Sequence, residues 1–448
     1  MTGEAGGASG CAPDLELTEP PEGSYFVSTY PPFSRWSPAA TERWGRHLEQ
    51  RRPRRDEAAL GLYVHIPFCA ERCHFCYYLS HDDRLDQTDR YLAALESELS
   101  LYAKTAALDG RELDFVYFGG GTPSLLSAAR VDRLMSGLQD VWPWQAVREV
   151  TFECAPRSVN ANKLEALREK GVTRVSLGVQ QMNDEVLRAN GRVHLVADVE
   201  AAYRALGDAG FAVVNVDLIV GLVGETDETF DSSLERIIDL TPDSVTIYQL
   251  EIPLNTPLWR SLRDGELSSE PASWKTKRDR LRRGFARLER AGYTVVSAYT
   301  AVRDPERHLF LYQTEQYHGA DLLGIGTSAF SHVNGLSQQN LPALGEYLEQ
   351  VEGGGLPLFR AHESSSEECM IREFVLQLKL GRVDSGYFLD KFGVEIMTRF
   401  AGPIAHLVQG GWLSEVDDGL NVTREGLLRI DRVLQLFYLP EHQGIRYS

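Results

Sequence analysis

The run Tyr63-Val-His-Ile-Pro-Phe-Cys-Ala-Glu-Arg-Cys-His-Phe-Cys-Tyr-Tyr78 places three cysteines within eight residues, directly after an apolar, strand-like stretch. Their spacing is C-x3-C-x2-C, and no fourth cysteine lies close by. Thiolates are soft ligands that suit Fe–S clusters, zinc or Cu(I). Three cysteines can hold three irons of a [4Fe–4S] cluster and leave the fourth iron open to a substrate, whereas electron-transfer clusters are closed by four cysteines.

Two other interpretations of the three cysteines remain open from spacing alone. A structural zinc ion has four ligands, and His65 or His74 is available as the fourth. However, no second Cys/His pair follows at a zinc-finger spacing. A disulfide is less favoured because three clustered cysteines leave an odd thiol. The spacing therefore favours a cluster on Cys69, Cys73 and Cys76.

From about residue 60 to 300, apolar β-branched runs alternate with amphipathic helical windows. Repeated strand–helix units predict a parallel sheet with right-handed crossovers. The predicted strands are Leu60–Pro67, Asp114–Phe118, Glu149–Glu153, Arg174–Val179, Val213–Val220, Ser244–Leu250 and, with a weaker pattern, Thr294–Ala298. The predicted helices between them are Thr88–Ala103, Ala128–Leu138, Asn162–Lys170, Val199–Ala209 and Asp227–Leu240. In barrels of such units the active site lies at the C-terminal ends of the strands, where the cysteine loop falls.

Further segments flank this alternation. Residues 1–22 are rich in Gly, Ala, Ser, Pro and Glu, which predicts disorder. Residues 23–58 form an N-terminal arm whose prolines interrupt any helix and whose aromatic side chains either pack the arm or form a lid. We assign 59–345 to the barrel and 346–448 to a small, mainly helical domain.

The pattern of this last domain is winged-helix-like. Helices are predicted over Glu367–Leu380 and Gly393–Gln409, and a hairpin is predicted to turn at Asp418-Gly419. The domain is expected to cover the open barrel.

The amino-acid composition and net charge argue against several classes of function. Apolar residues make up 43% and charged residues 25%, as in soluble globular proteins. The net charge is −18 without a Lys/Arg cluster, which argues against nucleic acid as a partner. No apolar run approaches the roughly 18 residues of a membrane-spanning helix, and the first residues do not resemble a secretory signal. The six cysteines show no disulfide framework, so we expect a reducing cytoplasm.

Glycines and a carboxylate mark the ends of the second and third predicted strands. Gly119, Gly120 and Gly121 precede Thr122, and successive glycines let the backbone approach a ligand closely. Glu153 ends the next strand, where a carboxylate can bind ribose hydroxyls.

Polar residues also occupy the fourth and fifth strands. Gln180 ends the fourth strand and can form two hydrogen bonds with one ligand. Asp217 lies inside an otherwise apolar strand and needs a partner. Arg192 is available either as that partner or for a ligand carboxylate. Each of these residues alone fits a scaffold role as well as a ligand contact.

Together, the cysteine loop and the strand-end residues resemble the radical S-adenosylmethionine (SAM) superfamily. Within it, the chain resembles the oxygen-independent coproporphyrinogen III oxidase family, which includes class C methyltransferases and cyclopropanases, over roughly residues 23–435. The resemblance implies a partial (β/α)6 TIM-like barrel with a winged-helix-like C-terminal domain. It also implies a [4Fe–4S] cluster that cleaves SAM to methionine and a 5′-deoxyadenosyl radical.

The resemblance further implies binding sites for two SAM molecules. Residues that match positions around the cluster-bound SAM are Tyr63, Phe75, the Gly119–Gly121 run, Thr122, Glu153 and Phe330. Residues that match positions around a second SAM are Gln180, Arg192 and Asp217. A reductase such as flavodoxin or ferredoxin is the expected electron donor, and a small molecule is the expected substrate.

The family's reactions differ, and the sequence carries mixed signals about them. Tyr78 stands where the decarboxylases carry a further cysteine, and Ile247–Thr256 looks more like the chaperone and methyltransferase versions. By contrast, Ser28-Thr-Tyr-Pro-Pro32 resembles the arm of the decarboxylases. We favour methyl or methylene transfer from a second SAM to an sp2 carbon of an aromatic, heterocyclic or unsaturated substrate.

Methyl transfer needs a base for loss of a proton, and Tyr248, Glu251 and Tyr299 are the candidates. The first alternative is oxidative decarboxylation of coproporphyrinogen III. The second is a haem chaperone, for which the scattered histidines His308, His318 and His332 offer iron ligands.

Overall fold

The computed structural model describes residues 26–50, 58–78, 81, 85–254, 256–267 and 269–443. The disorder predicted for residues 1–22 and parts of the N-terminal arm lie outside these ranges. The strands are β1 (Leu60–Ile66), β2 (Phe115–Gly120), β3 (Glu149–Cys154), β4 (Arg174–Gln180), β5 (Val213–Val220), β6 (Ser244–Gln249), β7 (Thr294–Val295), β8 (Thr300–Val302), β9 (Asp321–Ile325), β10 (Phe330–Val333), β11 (Leu336–Asn340), β12 (Leu358–Glu363), β13 (Arg382–Asp384), β14 (Leu413–Val416) and β15 (Gly419–Val422).

The helices match the predicted positions within a few residues where a prediction was made. They are α1 (Thr41–Leu48), α2 (Leu85–Ala103), α3 (Ala128–Val141), α4 (Ala161–Glu169), α5 (Asp184–Ala189), α6 (Val196–Ala209), α7 (Asp227–Leu240), α8 (Pro257–Arg263), α9 (Trp274–Arg290), α10 (Leu311–Tyr317), α11 (Leu344–Glu352), α12 (Ser366–Leu378), α13 (Ser385–Phe392), α14 (Ile396–Arg399), α15 (Ala401–Gln409), α16 (Arg424–Leu428) and α17 (Ile430–Val433). Within the described ranges, no helix has both the length and the apolarity that a bilayer crossing demands.

Six parallel strands form the centre of the molecule. β1 to β6 are neighbours in chain order, and each pairs in parallel with the next. Helices cover the sheet, so β1 is buried along nearly its whole length, which explains why its sequence is a continuous apolar run. The predicted (β/α)6 sheet is confirmed.

Further strands extend this sheet on both sides. β9 pairs in parallel with β1, and β10 to β12 continue it in antiparallel fashion. On the other side β8 and then β7 follow β6, also antiparallel. The predicted strand Thr294–Ala298 ends at Val295, because the Ser297 hydroxyl accepts the backbone N–H groups of Tyr299 (3.2 Å) and Thr300 (3.1 Å) and turns the chain.

The C-terminal part is mainly helical, as predicted, and carries a small antiparallel sheet in the order β13-β15-β14. The predicted helix over Gly393–Gln409 is interrupted at Phe400 and forms α14 and α15. The hairpin turns one residue earlier than predicted, since Gly419 already pairs with Val416 as the first residue of β15.

The N-terminal arm, from Phe26 to Trp36, packs against both parts of the molecule. Tyr30 is fully buried, and its hydroxyl lies 2.7 Å from Nδ1 of His442 near the chain end. Phe33 stacks on Phe330 of β10 with ring centroids 4.6 Å apart. The described arm therefore joins the large sheet to the C-terminal helices.

Candidate functional site

A cavity of about 850 Å³ opens at the carboxyl ends of β1 to β6. Its walls come from the loops after these strands, from Phe26 of the arm and from the C-terminal segment 428–432. Ligand sites of barrels built from strand–helix units lie at this end, so the cavity is the candidate functional site.

The cysteine loop after β1 forms one wall of the cavity, and Cys69, Cys73 and Cys76 all line it. The Cys76 backbone N–H donates to Cys73 O at 3.2 Å, and Nη2 of Arg72 donates to Cys76 O at 3.0 Å. Burial raises the pKa of the Cys76 thiol to about 11. A metal bound there must displace this proton, because thiolates are the binding form.

The donor set fits an iron–sulfur cluster. The three thiols share one loop at the cavity wall, and a Cβ on Gly121 would lie 3.0 Å from Cys69 Sγ, so only glycine leaves room beside the sulfur. No three His, Cys, Asp or Glu side chains converge on a single-ion position within the described ranges. A [4Fe–4S] cluster does not require such convergence, because each cysteine binds a different iron.

The glycine run after β2 lies directly against the cysteine loop. Gly121 N–H donates to Ile66 O, and Thr122 N–H donates to Phe68 O, both at 2.8 Å. Gly120 has φ +116°, and a Cβ on it would lie 2.6 Å from the His65 ring. Glycine is therefore required here both for conformation and for space.

Glu153 lies next to this run at the end of β3. It accepts hydrogen bonds from the Tyr117 hydroxyl at 2.5 Å and from Gly120 N–H at 3.2 Å. Burial raises the pKa of Glu153 to about 7. The carboxyl group faces the cavity, where it can bind hydroxyl groups of a ligand.

Three of the residues predicted to lie near SAM, namely Tyr63, Gly119 and Phe330, lie outside the cavity lining. Tyr63 packs behind Tyr117, with ring centroids 5.8 Å apart, and Phe330 is covered by Phe33 of the arm. The predicted Phe75, in contrast, belongs to the lining.

Gln180, Arg192 and Asp217 lie on one side of the cavity. Gln180 has φ +67°, an uncommon value for a residue other than glycine, and sits at a bulge in β4. Nη2 of Arg192 donates to Gly178 O at 2.9 Å and Nη1 to Cys73 Sγ at 3.0 Å, while its buried Nε has no partner. This unpaired N–H suits an anionic ligand group.

Asp217 does not pair with Arg192, in contrast to one of the two predicted arrangements. Its carboxylate accepts hydrogen bonds from the Ser176 hydroxyl at 2.7 Å and from Asn215 Nδ2 at 2.8 Å. Burial raises the pKa of Asp217 to about 6.

The three candidate bases, Tyr248, Glu251 and Tyr299, all line the cavity. Tyr248 stacks on Tyr299, and the Tyr299 hydroxyl donates to Asp431 Oδ2 at 2.8 Å. Burial raises the pKa of both tyrosines well above 10, so at neutral pH both are protonated and act as hydrogen-bond donors.

Sequence reasoning missed several residues of the lining, among them Lys163, Trp274, Arg278, Arg429 and Asp431. They come from α4, α9 and the last helices, far from the strand ends that the sequence pattern marks. Asp431 lies beside Arg432 in a four-residue helix, and this pattern gives no signal for a cavity residue.

None of the three histidines considered as haem ligands lines the cavity. His308 lies 3.8 Å from Asp243, Nδ1 of His318 lies 2.8 Å from Thr314 O, and Nδ1 of His332 lies 2.8 Å from Ser337 Oγ. The cavity therefore does not bring them together.

Comparison with known proteins finds relatives along most of the chain. A model of the Radical SAM superfamily matches residues 63–237. The oxygen-independent coproporphyrinogen III oxidase of Escherichia coli (strain K12) is 31% identical over 398 residues, which cover 85% of this chain and 86% of that protein. The heme chaperone HemW of Bacillus subtilis (strain 168) is 28% identical over 383 residues, which cover 84% and 98%.

A solved structure is similar over nearly the same span. Coproporphyrinogen III oxidase from Escherichia coli, described as a radical SAM enzyme, matches with a TM-score of 0.80 at 30% identity, covering 92% of this chain and 96% of that one. This similarity confirms the predicted fold class, including the mainly helical C-terminal part.

Proposed function

Because the chain belongs to the oxygen-independent coproporphyrinogen III oxidase family of the radical SAM superfamily, we propose that it binds a [4Fe–4S] cluster at Cys69, Cys73 and Cys76 and carries out radical chemistry on a small molecule. When bound, the cluster supplies the electron that cleaves SAM to methionine and a 5′-deoxyadenosyl radical. The donor is a small redox protein such as flavodoxin or ferredoxin.

In this proposal the residues at the strand ends bind and orient SAM. The backbone of Gly119–Gly121 and Thr122 approaches its amino group, and Glu153 accepts hydrogen bonds from the ribose. Arg192, whose buried Nε lacks a partner, binds a carboxylate of a second SAM beside Gln180 and Asp217. The C-terminal segment keeps water away from the reacting carbon.

The preferred reaction is oxidative decarboxylation of the coproporphyrinogen type. The observation that carries it is the charge of the cavity: seven arginines and one lysine line it against five carboxylates, in a chain of net charge −18. Such a wall attracts an anionic substrate with carboxylate side chains. A propionate side chain that gives a hydrogen atom to the 5′-deoxyadenosyl radical becomes a carbon radical. Loss of carbon dioxide and transfer of one electron to a one-electron acceptor, such as an oxidised small redox protein, then leave a vinyl group.

The names of the similar proteins also support this reaction over the methyl transfer favoured from sequence alone. Methyl or methylene transfer is the second candidate, favoured by Tyr78 at the position of the decarboxylases' further cysteine. A haem chaperone remains the third candidate, because chaperones are among the relatives. The position of His308, His318 and His332 outside the cavity lining counts against it.

The test uses the full chain, purified without oxygen and reconstituted with iron and sulfide. SAM, dithionite and coproporphyrinogen III are added, and 5′-deoxyadenosine, carbon dioxide and S-adenosylhomocysteine are quantified. We expect 5′-deoxyadenosine together with carbon dioxide.

Other outcomes distinguish the candidates. Release of S-adenosylhomocysteine without carbon dioxide would make methyl or methylene transfer the preferred reaction and decarboxylation the second candidate. A reconstituted protein that releases no 5′-deoxyadenosine would exclude both.

A further inference from the structure

Arg429 belongs to the segment 428–432 that closes the cavity, and its side chain lines the cavity. It lies where α16 ends and α17 begins, and its backbone leaves the helical conformation there, with φ −120° and ψ 19°. The side chain is half-buried. The C-terminal part of the molecule therefore contributes a cationic group to the cavity from outside the large sheet.

The guanidinium group of Arg429 is held from one side by a carboxylate. Nη1 of Arg429 donates to Glu425 Oε2 at 2.8 Å, one helical turn earlier. The same carboxylate accepts two hydrogen bonds from Arg282 of α9, from Nε at 2.7 Å and from Nη2 at 2.8 Å. Nη1 of Arg282 donates to Asp279 at 2.6 Å. This chain of hydrogen bonds fixes the position of Arg429 relative to α9.

The other donors of Arg429 are not used by the protein. An arginine side chain has five N–H donors. In the part of the chain that the structure describes, only Nη1 of Arg429 has acceptors, namely the carboxylate of Glu425 and its backbone oxygen at 3.4 Å. The edge formed by Nε and Nη2 is the edge with which Arg282 binds both oxygens of Glu425. On Arg429 this edge keeps its donors for a ligand.

The charges of this network leave one positive charge in excess. Three cationic side chains, Arg282, Arg429 and Lys275, meet two carboxylates, Glu425 and Asp279. Hydrogen bonds from Arg282 lower the pKa of Glu425 to about 2, so this carboxylate is ionised at neutral pH. Because Glu425 is shared between two arginines, it does not cancel the charge of Arg429.

We propose that Arg429 binds a carboxylate of the substrate through Nε and Nη2, and that Glu425 and Arg282 are positioning residues for it. Two parallel N–H donors match the two oxygens of a carboxylate. Arg278 precedes Arg282 by one turn of α9 and also lines the cavity, so a second cationic side chain lies on the same face of this helix. This binding mode rests on the proposed function, because it names the group by which the C-terminal wall recognises the substrate.

Coproporphyrin III and its tetraamide are the probes, because they share the ring system and differ in the charge of their side chains. Their affinities for the oxidised, reconstituted full chain are measured by porphyrin fluorescence. We expect Arg429→Gln to weaken binding of the tetra-acid roughly tenfold and to leave the affinity for the tetraamide within about twofold. Arg429→Lys should keep part of the affinity, because lysine retains the charge but not the edge with two donors.

Arg282→Gln examines the positioning of Arg429. Without Arg282, Glu425 pairs with Arg429 alone and the local charge falls by one, so binding of the tetra-acid should weaken roughly two- to fivefold. Arg287→Gln is the matched control, because it removes the same charge from α9, while Arg287 pairs with Asp231 at 3.0 Å. The control should leave the affinity unchanged. In the Arg429→Gln background, Arg282→Gln should cause no further loss.

Several outcomes would overturn the proposal. They are failure of the wild type to bind the tetra-acid, equal tetra-acid affinity of wild type and Arg429→Gln, and an equal loss of affinity for both probes. If Arg429→Gln lowers the affinity for SAM but not for the tetra-acid, the carboxylate bound is that of SAM and the proposal is wrong. A selective loss of tetra-acid affinity in a chain that releases no carbon dioxide from coproporphyrinogen III would support the proposal and count against the proposed reaction alone.

Discussion

Glu153 and Asp217 are two carboxyl groups in one cavity, and burial raises the pKa of both. Glu153 has a pKa near 7 and is partly protonated at neutral pH, although the Tyr117 hydroxyl donates to it. Asp217 has a pKa near 6 and is mostly ionised, with the Ser176 hydroxyl as one donor. Both groups are thus protonated more readily than exposed carboxylates, and a protonated carboxyl group can donate as well as accept a hydrogen bond.

The assignment of Cys69, Cys73 and Cys76 as cluster ligands predicts the result of replacing one of them. Cys73→Ala should remove an iron ligand and abolish both the cluster absorbance and SAM cleavage, because the remaining two cysteines cannot hold a [4Fe–4S] cluster. Iron content, the visible spectrum and 5′-deoxyadenosine release after reconstitution are the measurements. Cys369→Ala is the control, since Cys369 is buried outside the cavity lining. Equal iron content in both variants would contradict the assignment.

The sequence predicts which residues lie at the strand ends, but it does not predict the groups with which their side chains form hydrogen bonds. Glu153 and Gln180 follow apolar runs that mark strands, so their position at the cavity follows from the sequence. The hydrogen-bond partners of Asp217 do not follow from the sequence, because they depend on the register between β4 and β5. This register sets Asp217 opposite Gly178 and brings Ser176 near. Tyr63 and Phe330 are expected near SAM and lie outside the cavity lining, because Tyr117 packs against Tyr63 and Phe33 of the arm packs against Phe330.

Helix α2 is linked to the far side of the sheet by the hydrogen bonds of one buried carboxyl group. Glu98 is fully buried and accepts hydrogen bonds from Gly326 N–H at 2.8 Å, Asn340 Nδ2 at 2.6 Å and the Tyr347 hydroxyl at 2.6 Å. Burial raises its pKa from 4.5 to about 7. This carboxyl group connects α2 with β9, β11 and α11.

Glu98 predicts a pH dependence of stability. Because its folded pKa lies above its unfolded value, the folded state binds more protons between pH 4.5 and 7, and the free energy of unfolding falls as pH rises through this window. The fall attributable to Glu98 is at most about 3 kcal/mol.

Urea denaturation of the wild type and Glu98→Gln at several pH values measures this contribution. The variant should be less stable at low pH, because an amide cannot accept three donors as a carboxyl group does, and its stability should fall less between pH 4.5 and 7. Glu165→Gln, at an exposed position of α4, is the matched surface control. Identical pH profiles of wild type and Glu98→Gln would contradict the prediction.

Across the whole molecule, one buried ion pair joins three parts of the chain. Lys379 of the C-terminal part donates to Val27 O of the arm at 2.6 Å and pairs with Asp431. Asp431 in turn accepts the hydroxyl of Tyr299, which belongs to the segment that carries β8. The sequence gives no sign of this arrangement, since its members are up to 404 residues apart and meet only after all three parts have packed.

The Lys379–Asp431 ion pair predicts that substitutions of its two residues have non-additive effects on the free energy of unfolding. Lys379→Met should lower the free energy of unfolding by about 3–5 kcal/mol, because it leaves the Asp431 charge unpaired. Asp431→Asn should also destabilise the protein, and the double variant should lose less than the sum of the two single variants. Urea denaturation of all four proteins measures the coupling, and strictly additive losses would contradict it.

The segment 428–432 that closes the cavity is synthesised only after all the strands of the large sheet. By that time the cysteine loop, the glycine run and Glu153 have long left the ribosome. A chain that stopped short of Leu428 would keep every residue predicted to bind the cluster and SAM, but it would lack Asp431 and core side chains such as Val433 and Phe437, so we expect it to be far less stable than the full chain.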